Sequence, residues 1–365
     1  MHRYIGKIPM MKRLLHLACY LHLNRVREEI TMKNGTLFLP FILLFCFITG
    51  CSFMNEQQEI SQPASALRQG QPDSSGQDLS NRMLIIATGD MSGVYFTVGQ
   101  RLSALYERYN GAVSGTQVTQ ASIENTELVS QHKAEIGFTT VDVLELPSTN
   151  KSRLRALTTL YSNYVQIVTT KRHDIDSLDD LAGKRVSVGT SGSGTRLIAE
   201  RILLETDLQP EQLNLSYLSF TQAAEALQNG SIDAAFFSSG IPNYEIAYTS
   251  KQTELSIIPI PKDIIDRLQK QYGVYAQNEL PVDTYKGMQK EVQTISIKNV
   301  LVTYDEMSDR HAYNLVKTLY EHLPELQDTH PAASDISLND AAGPVPLDFH
   351  SGAMKYFTEH GLMKK

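Results

Sequence analysis

Leu181-Ala-Gly-Lys-Arg-Val-Ser-Val-Gly-Thr-Ser-Gly-Ser-Gly-Thr195 decides how the chain is read. Arg185 to Gly189 has the short β-branched run of a strand. The five residues that follow are Gly, Ser or Thr, and apolar residues at helical spacing continue from about Thr195 to Thr206. Strand, small-residue turn, helix is one unit of an α/β protein. Backbone N–H groups at a helix start bind anions, and Gly lets a ligand come close. Ser191, Ser193 and Thr195 add hydroxyls, and Gly194 leaves room. The turn lacks the Gly-Lys-Ser/Thr ending of a nucleotide loop and fails the Gly-x-Gly-x-x-Gly spacing of a dinucleotide site. It also fails Gly-x-Ser-x-Gly, because Ser193 holds the last position. An uncharged cradle for a carboxylate or similar anion is left.

The same unit recurs outward from this point. Met83 to Thr88 is a strand, Gly89 to Gly93 a turn, and Tyr95 to Tyr109 a helix. A strand begins at Val118, Ser122-Ile-Glu-Asn125 opens a helix, and Glu135 to Thr139 is a strand ending in Phe138-Thr-Thr-Val-Asp142. Leu154 to Tyr161 and Tyr164 to Thr170 read as two strands. Leu213 to Leu218 and Ile232 to Phe237 are strands about a helix from Phe220 to Gln228. Ile257 to Ile260 and Thr294 to Tyr304 are strands, and Asp309 to Leu323 is a helix. Alternation of this kind predicts α/β lobes with mainly parallel sheets. Thr88, Gly89, Tyr95, Ser122, Asn125 and Thr140 then join Ser191, Ser193, Gly194 and Thr195 at the carboxyl ends of strands, where open α/β sheets bind ligands.

Composition narrows the function. The 365 residues are 42% hydrophobic and 20% charged, with a net charge of −7. An acidic chain argues against a nucleic-acid partner, and the polar balance against several membrane spans. The cysteines are Cys19, Cys46 and Cys51, so neither a disulfide framework nor a four-cysteine zinc site exists downstream. Seven histidines lie beyond residue 82 without metal-ligand spacing, and each reads as exposed or capping. Asp179-Asp180 reads as a solvated face. No metal, no cofactor and no catalytic constellation is expected, so the chain reads as a non-enzyme.

The start of the chain reads as an address. Leu37 to Ile48 is a continuous apolar run, too short to span a bilayer and suited to a secretory signal. Ile48-Thr-Gly-Cys51 follows it and resembles the lipobox of bacterial lipoproteins, which implies lipid on Cys51 and loss of residues 1–50. Met32-Lys33-Asn34 makes a compact basic start, so translation is expected to begin at Met32. Loss of seven basic and two acidic residues with the leader leaves 26 basic against 38 acidic, a net charge of −12. Residues 51–82 are rich in Gln, Ser, Pro and Gly and read as a flexible tether.

Four motifs in order resemble the TAXI family of solute-binding proteins, the receptors of one class of TRAP transporters. They are Thr88-Gly89 to Tyr95-Phe96, Ser122-Ile-Glu-Asn125, Leu181 to Thr195, and Val345-Pro-Leu-Asp-Phe-His-Ser-Gly-Ala353 with Tyr356. The resemblance spans about residues 83–362. It implies a type II periplasmic-binding-protein fold, two α/β lobes joined by hinge strands near Tyr164 to Thr170 and Ile257 to Ile260. Lobe I would be residues 83–164 plus 260–365, and lobe II residues 165–259. It also implies a small carboxylate or amino-acid ligand such as glutamate, and a TRAP-type permease as membrane partner. Asp90 departs from the family's Gly, and Asp348-Phe-His350 from its usual order. A carboxylate 4 Å from an anion costs roughly 4 kcal/mol at an effective dielectric of 20, so Asp90 must face solvent or meet an ammonium group. Two rivals share the fold: a lipoprotein that signals ligand occupancy to a membrane kinase, and an enzyme using a Tyr or Asp.

Overall fold

The computed structural model describes residues 83–364. The leader, Cys51 and the tether lie outside the described residues. In chain order the elements begin with β1 (Met83–Ala87), α1 (Val94–Asn110), β2 (Val113–Gln117), α2 (Ser122–Ser130), β3 (Ile136–Thr140) and α3 (Val141–Leu144). Then come β4 (Leu154–Thr170), β5 (Arg185–Ser187), α4 (Gly194–Leu204), β6 (Asn214–Ser216), α5 (Phe220–Asn229) and β7 (Ala234–Ser239). The rest are α6 (Tyr244–Gln252), β8 (Leu255–Ile258), α7 (Lys262–Tyr272), β9 (Ala276–Leu280), β10 (Val292–Tyr304), α8 (Asp309–Glu321), α9 (Leu323–Gln327) and α10 (Ser351–Glu359).

The ten strands form one mixed sheet, and one order occurs in it twice. In the first half β2, β1 and β3 are parallel neighbours, β10 runs antiparallel beside β3, and β4 follows. In the second half β6, β5 and β7 are parallel neighbours, β4 runs antiparallel beside β7, and β8 follows on β4. Each trio is completed by a long strand entering from the other half. This is the α/β architecture of the type II periplasmic-binding-protein fold.

β4 is a single strand of 17 residues, not two. That is about 56 Å of extended chain, far beyond the usual strand. Its residues 154–164 pair with β10 and residues 164–169 with β7, so it belongs to both halves. Ser162 and Asn163 interrupt its apolar pattern, which is why the sequence reads as two runs. Ile257 lies on β8 at the side of β4, and the second strand shared between halves is β10. The strand expected to begin at Val118 instead ends at Gln117. Helices α3, α6, α7, α9 and α10 and strand β9 are additions to the sequence reading.

Each half has its own apolar core. One gathers Tyr106, Phe138, Tyr161, Leu319 and Phe357; the other Val168, Leu227, Phe237 and Tyr285. In the first, α10 crosses α8 at backbone distance. A methyl group on Gly352 would come 2.2 Å from the Asp309 carbonyl oxygen and 2.8 Å from the Tyr313 nitrogen. His350 starts α10: its Nδ1 accepts from the Gly352 N–H at 3.1 Å, and its Nε2–H donates to the Met307 carbonyl at 2.7 Å. Burial lowers its pKa and keeps the ring neutral, as this pairing requires. The Asp348-Phe-His350 departure therefore sits in a structural cap. Gly352→Ala is expected to lower stability by about 1–3 kcal/mol through overpacking, read by urea unfolding.

Candidate ligand-binding site

The carboxyl ends of β1, β3, β5 and β7 open onto one cavity of about 470 Å³. The starts of α1, α2, α4 and α5 surround it.

The α4 wall is built by its turn. Gly189 has φ +89°, and a Cβ there would meet the Thr195 Cβ at 2.8 Å, so only glycine fits. Ser193 is the N-cap of α4. Its hydroxyl donates to the Thr190 carbonyl at 2.7 Å and accepts from the Arg196 N–H at 3.1 Å. That O–H is already used, so Ser193 holds the turn and has no proton left to give a ligand. The N–H groups of Gly194 and Thr195 begin the helix, where no carbonyl of the helix can meet them. The Thr195 hydroxyl lies 3.4 Å from the Ser238 nitrogen, on the cavity wall.

The opposite wall comes from β3, β4, α1 and α2, with β10 behind it. Tyr95 stacks on Phe138 with ring centres 4.9 Å apart. Its hydroxyl donates to Asn299 Oδ1 at 2.6 Å, and Asn299 Nδ2 donates to Asn163 Oδ1 at 2.9 Å. The β10–β4 register slips at Asn299, between Lys298 and Val300. Such irregularities re-aim a side chain next to a site. Burial pushes the Tyr95 hydroxyl pKa well up, so it stays a neutral donor. Ser122 and Thr140 line the cavity beside it. Tyr161, on β4, is fully buried, lines the cavity, and its hydroxyl has no hydrogen-bond partner among the described residues.

The two walls touch at the rim. The Gly192 N–H donates to Gln120 Oε1 at 2.9 Å, and the Gly192 carbonyl accepts from Ile123 and Glu124 N–H at 2.9 and 3.2 Å. The Thr190 hydroxyl donates to the Gln120 carbonyl at 3.0 Å. Ala121 sits here at φ 82°, ψ −142°, a conformation that costs a non-glycine residue about 1–3 kcal/mol. The cleft is in its closed form.

Of the ten residues assigned from sequence, Gly89, Tyr95, Ser122, Thr140, Ser193, Gly194 and Thr195 line the cavity. Thr88, Asn125 and Ser191 do not. Thr88 is buried, its hydroxyl bound to the Gln117 carbonyl at 2.8 Å. Asn125 braces strand ends: its Nδ2 donates to the Thr88 and Phe138 carbonyls at 2.6 and 2.8 Å. Ser191 is exposed on the outer side of the turn. The sequence reading missed Tyr161, Asn163, Asn299 and the wall of Leu218, Phe220 and Thr221. The only signals were polar residues inside apolar strand runs, at Ser162-Asn163 and Lys298-Asn299.

Among the described residues Asp90 is the one charged residue on the lining. Its Oδ1 accepts from the Ser92 N–H at 2.8 Å and the Ser92 hydroxyl at 2.6 Å. Among the described residues no group of three or more His, Cys, Asp or Glu gathers to hold a metal, and no helix is long and apolar enough to cross a membrane. His330 and His350 are buried caps, and Asp180 is exposed and bonds the Ser177 N–H.

Solved structures of similar proteins are distant in sequence. A protein of Bordetella bronchiseptica RB50 shares 14% identity over 77% of this chain and 90% of that one, at a TM-score of 0.49. The periplasmic aliphatic sulphonate binding protein SsuA from Escherichia coli shares 12% over 76% and 83%, at 0.40. The GluR0 ligand-binding core from Nostoc punctiforme, in complex with L-glutamate, shares 15% over 69% and 99%, at 0.40. The family match reaches across nearly the whole described region, residues 86–361, and the chain belongs to the NMT1-like family.

Proposed function

We propose that the protein is an extracytoplasmic solute-binding protein of the TAXI type, lipid-anchored through Cys51, that captures a small carboxylate or amino acid and passes it to a TRAP-type permease. Residues 83–164 with 260–365 would form one lobe and residues 165–259 the other, except that Tyr285 packs into the core of the second. The observation that carries this reading is the closed cavity between two α/β halves, with the first N–H groups of α4 and the Thr195 hydroxyl on its wall. Helix-start N–H groups and a hydroxyl suit a carboxylate, and an acidic protein with no cation on the lining has only such local donors to offer an anion.

Isothermal titration of the purified chain with a panel of carboxylates and amino acids tests it. Thr195→Ala is expected to weaken carboxylate binding by about 10-fold or more, the worth of a hydrogen bond to a charged group. Undiminished binding in the Ser193→Ala/Thr195→Ala double variant overturns the assigned site. Mass analysis of the membrane-extracted protein tests the anchor: an unmodified Cys51 refutes it.

A further inference from the structure

The starts of four described helices reach the cavity, and three of them already have a carboxylate beside them. The start of α1 has a carboxylate beside it: Asp90 Oδ1 accepts from the Ser92 N–H, and the Asp90 carbonyl accepts from the Gly93 N–H at 2.9 Å. The start of α2 carries Glu124 in its first turn, and its Ile123 and Glu124 N–H groups go to the Gly192 carbonyl. The start of α5 has the reciprocal cap of Ser219 and Gln222, and the Thr221 hydroxyl of its first turn donates to Glu245 Oε1 at 2.9 Å and lies 3.4 Å from Asp90 Oδ1. The start of α4 has no acidic residue in its first turn. Among the described residues no Lys, Arg or His lines the cavity. The nearby cation of α4, Arg196, is paired with Glu200 at 3.0 Å.

One anionic group is therefore matched, and a second would be buried without a partner in a cavity that Asp90 already makes negative. Across from α4, the Tyr161 hydroxyl is fully buried and unpartnered. A buried hydroxyl without a partner costs free energy that a ligand atom can relieve. A phenol donates to a carbonyl and accepts from an N–H, so it suits a neutral polar group.

We propose that the cavity takes a ligand with one carboxylate and an uncharged polar tail, such as an amide, keto or hydroxyl group, and that Tyr161 reads that tail. This rests on the carboxylate reading above and narrows it: a plain dicarboxylate is excluded by charge. The Tyr161 ring is held in place by packing, in the core that also holds Val94 and with Gly240 against its edge, so its hydroxyl is presented in a fixed position.

The test is titration calorimetry on the full chain with matched pairs. Succinate, glutarate and adipate are each compared with their own monoamides, which differ only in charge at one end. At the best-fitting length the monoamide is expected to bind at least about 10-fold more tightly than the diacid, since the diacid buries an unpaired charge. Tyr161→Phe is expected to weaken the monoamide about 3- to 10-fold, the range of a neutral hydrogen bond. It should leave a simple monocarboxylate of the same length unchanged. A diacid that binds as tightly as its monoamide overturns the proposal, as does a Tyr161→Phe variant that weakens every ligand equally. Carboxylate binding that Thr195→Ala weakens and Tyr161→Phe leaves untouched overturns only the role of Tyr161. A wild-type protein that binds no carboxylate overturns the underlying reading as well.

Discussion

Arg201→Ala should lower folding stability by about 3–5 kcal/mol, because it strands a buried carboxylate. Asp142, at the first turn of α3, is 1% exposed. Its Oδ1 accepts from its neighbour's N–H, that of Val143, at 2.9 Å, and its Oδ2 accepts from the Tyr275 hydroxyl at 2.9 Å. Arg201 of α4 donates to that same hydroxyl at 2.7 Å and stands 3.9 Å from Asp142 Oδ2. Its guanidinium also lies 3.9 Å from the centre of the Tyr272 ring. Alanine in its place removes the one cation that contacts Asp142 among the described residues, and the cation–π contact with Tyr272 as well. Asp142→Asn in the same background should restore much of the loss, since the buried charge is then gone.

The effect carries a pH signature. Burial raises the Asp142 pKa above its ordinary 3.8, and the Thr140 hydroxyl and the Arg201 charge only partly offset it. A carboxyl raised in the folded state contributes stability that is full below its unfolded value and is lost as pH rises through the folded value. Loss of Arg201 raises the folded value further. The gap between wild type and Arg201→Ala should therefore be smallest in acid and widen once pH climbs through the wild type's raised folded value, which lies above 3.8, in urea titrations run at each pH. A gap that stays constant across that range would show that Asp142 is not the group responsible.

Gly194→Val should weaken carboxylate binding about 5- to 150-fold while leaving the unfolding midpoint close to wild type. Gly194 opens α4 with ordinary helical backbone, so a side chain there strains nothing within its own half. Its Cβ would lie 3.0 Å from both the Ser122 and Thr140 hydroxyl oxygens across the cavity. Two further methyl groups have nowhere to go while the walls are shut. The penalty falls on closure and so on affinity. Titration calorimetry with a matching thermal melt checks it, and unchanged affinity would mean that ligand is held without the walls meeting.

The Leu181 to Thr195 stretch shows how much was legible. Its strand, turn and helix start follow from local rules: a short β-branched run, small residues where Gly189 must take positive φ, and a capping serine. Even the role of Ser193 is local, because its partners Thr190 and Arg196 are three residues away on either side. The cavity-lining places of Tyr95, Ser122 and Thr140 were legible in the same way, as residues at strand ends. By contrast, β4 read as two strands because Asn163 is polar, and it is polar because it faces the cavity. Asn125 has the motif position of a ligand contact, yet its amide closes on carbonyls 37 and 13 residues away.

Sequence alone determined the strand, turn and helix units about Gly89, Ser122 and Gly189 and the turns that only small residues can make, since both arise from neighbours along the chain. Only the tertiary structure decided which donors remain free for a ligand. Tyr95 is joined to Asn299 across 204 positions, Tyr275 to Asp142 across 133, and Tyr161 is left unpaired. A hydrogen bond forms within about 3 Å whatever the sequence separation, so the balance of paired and unpaired groups exists only once the sheet has brought distant strands side by side.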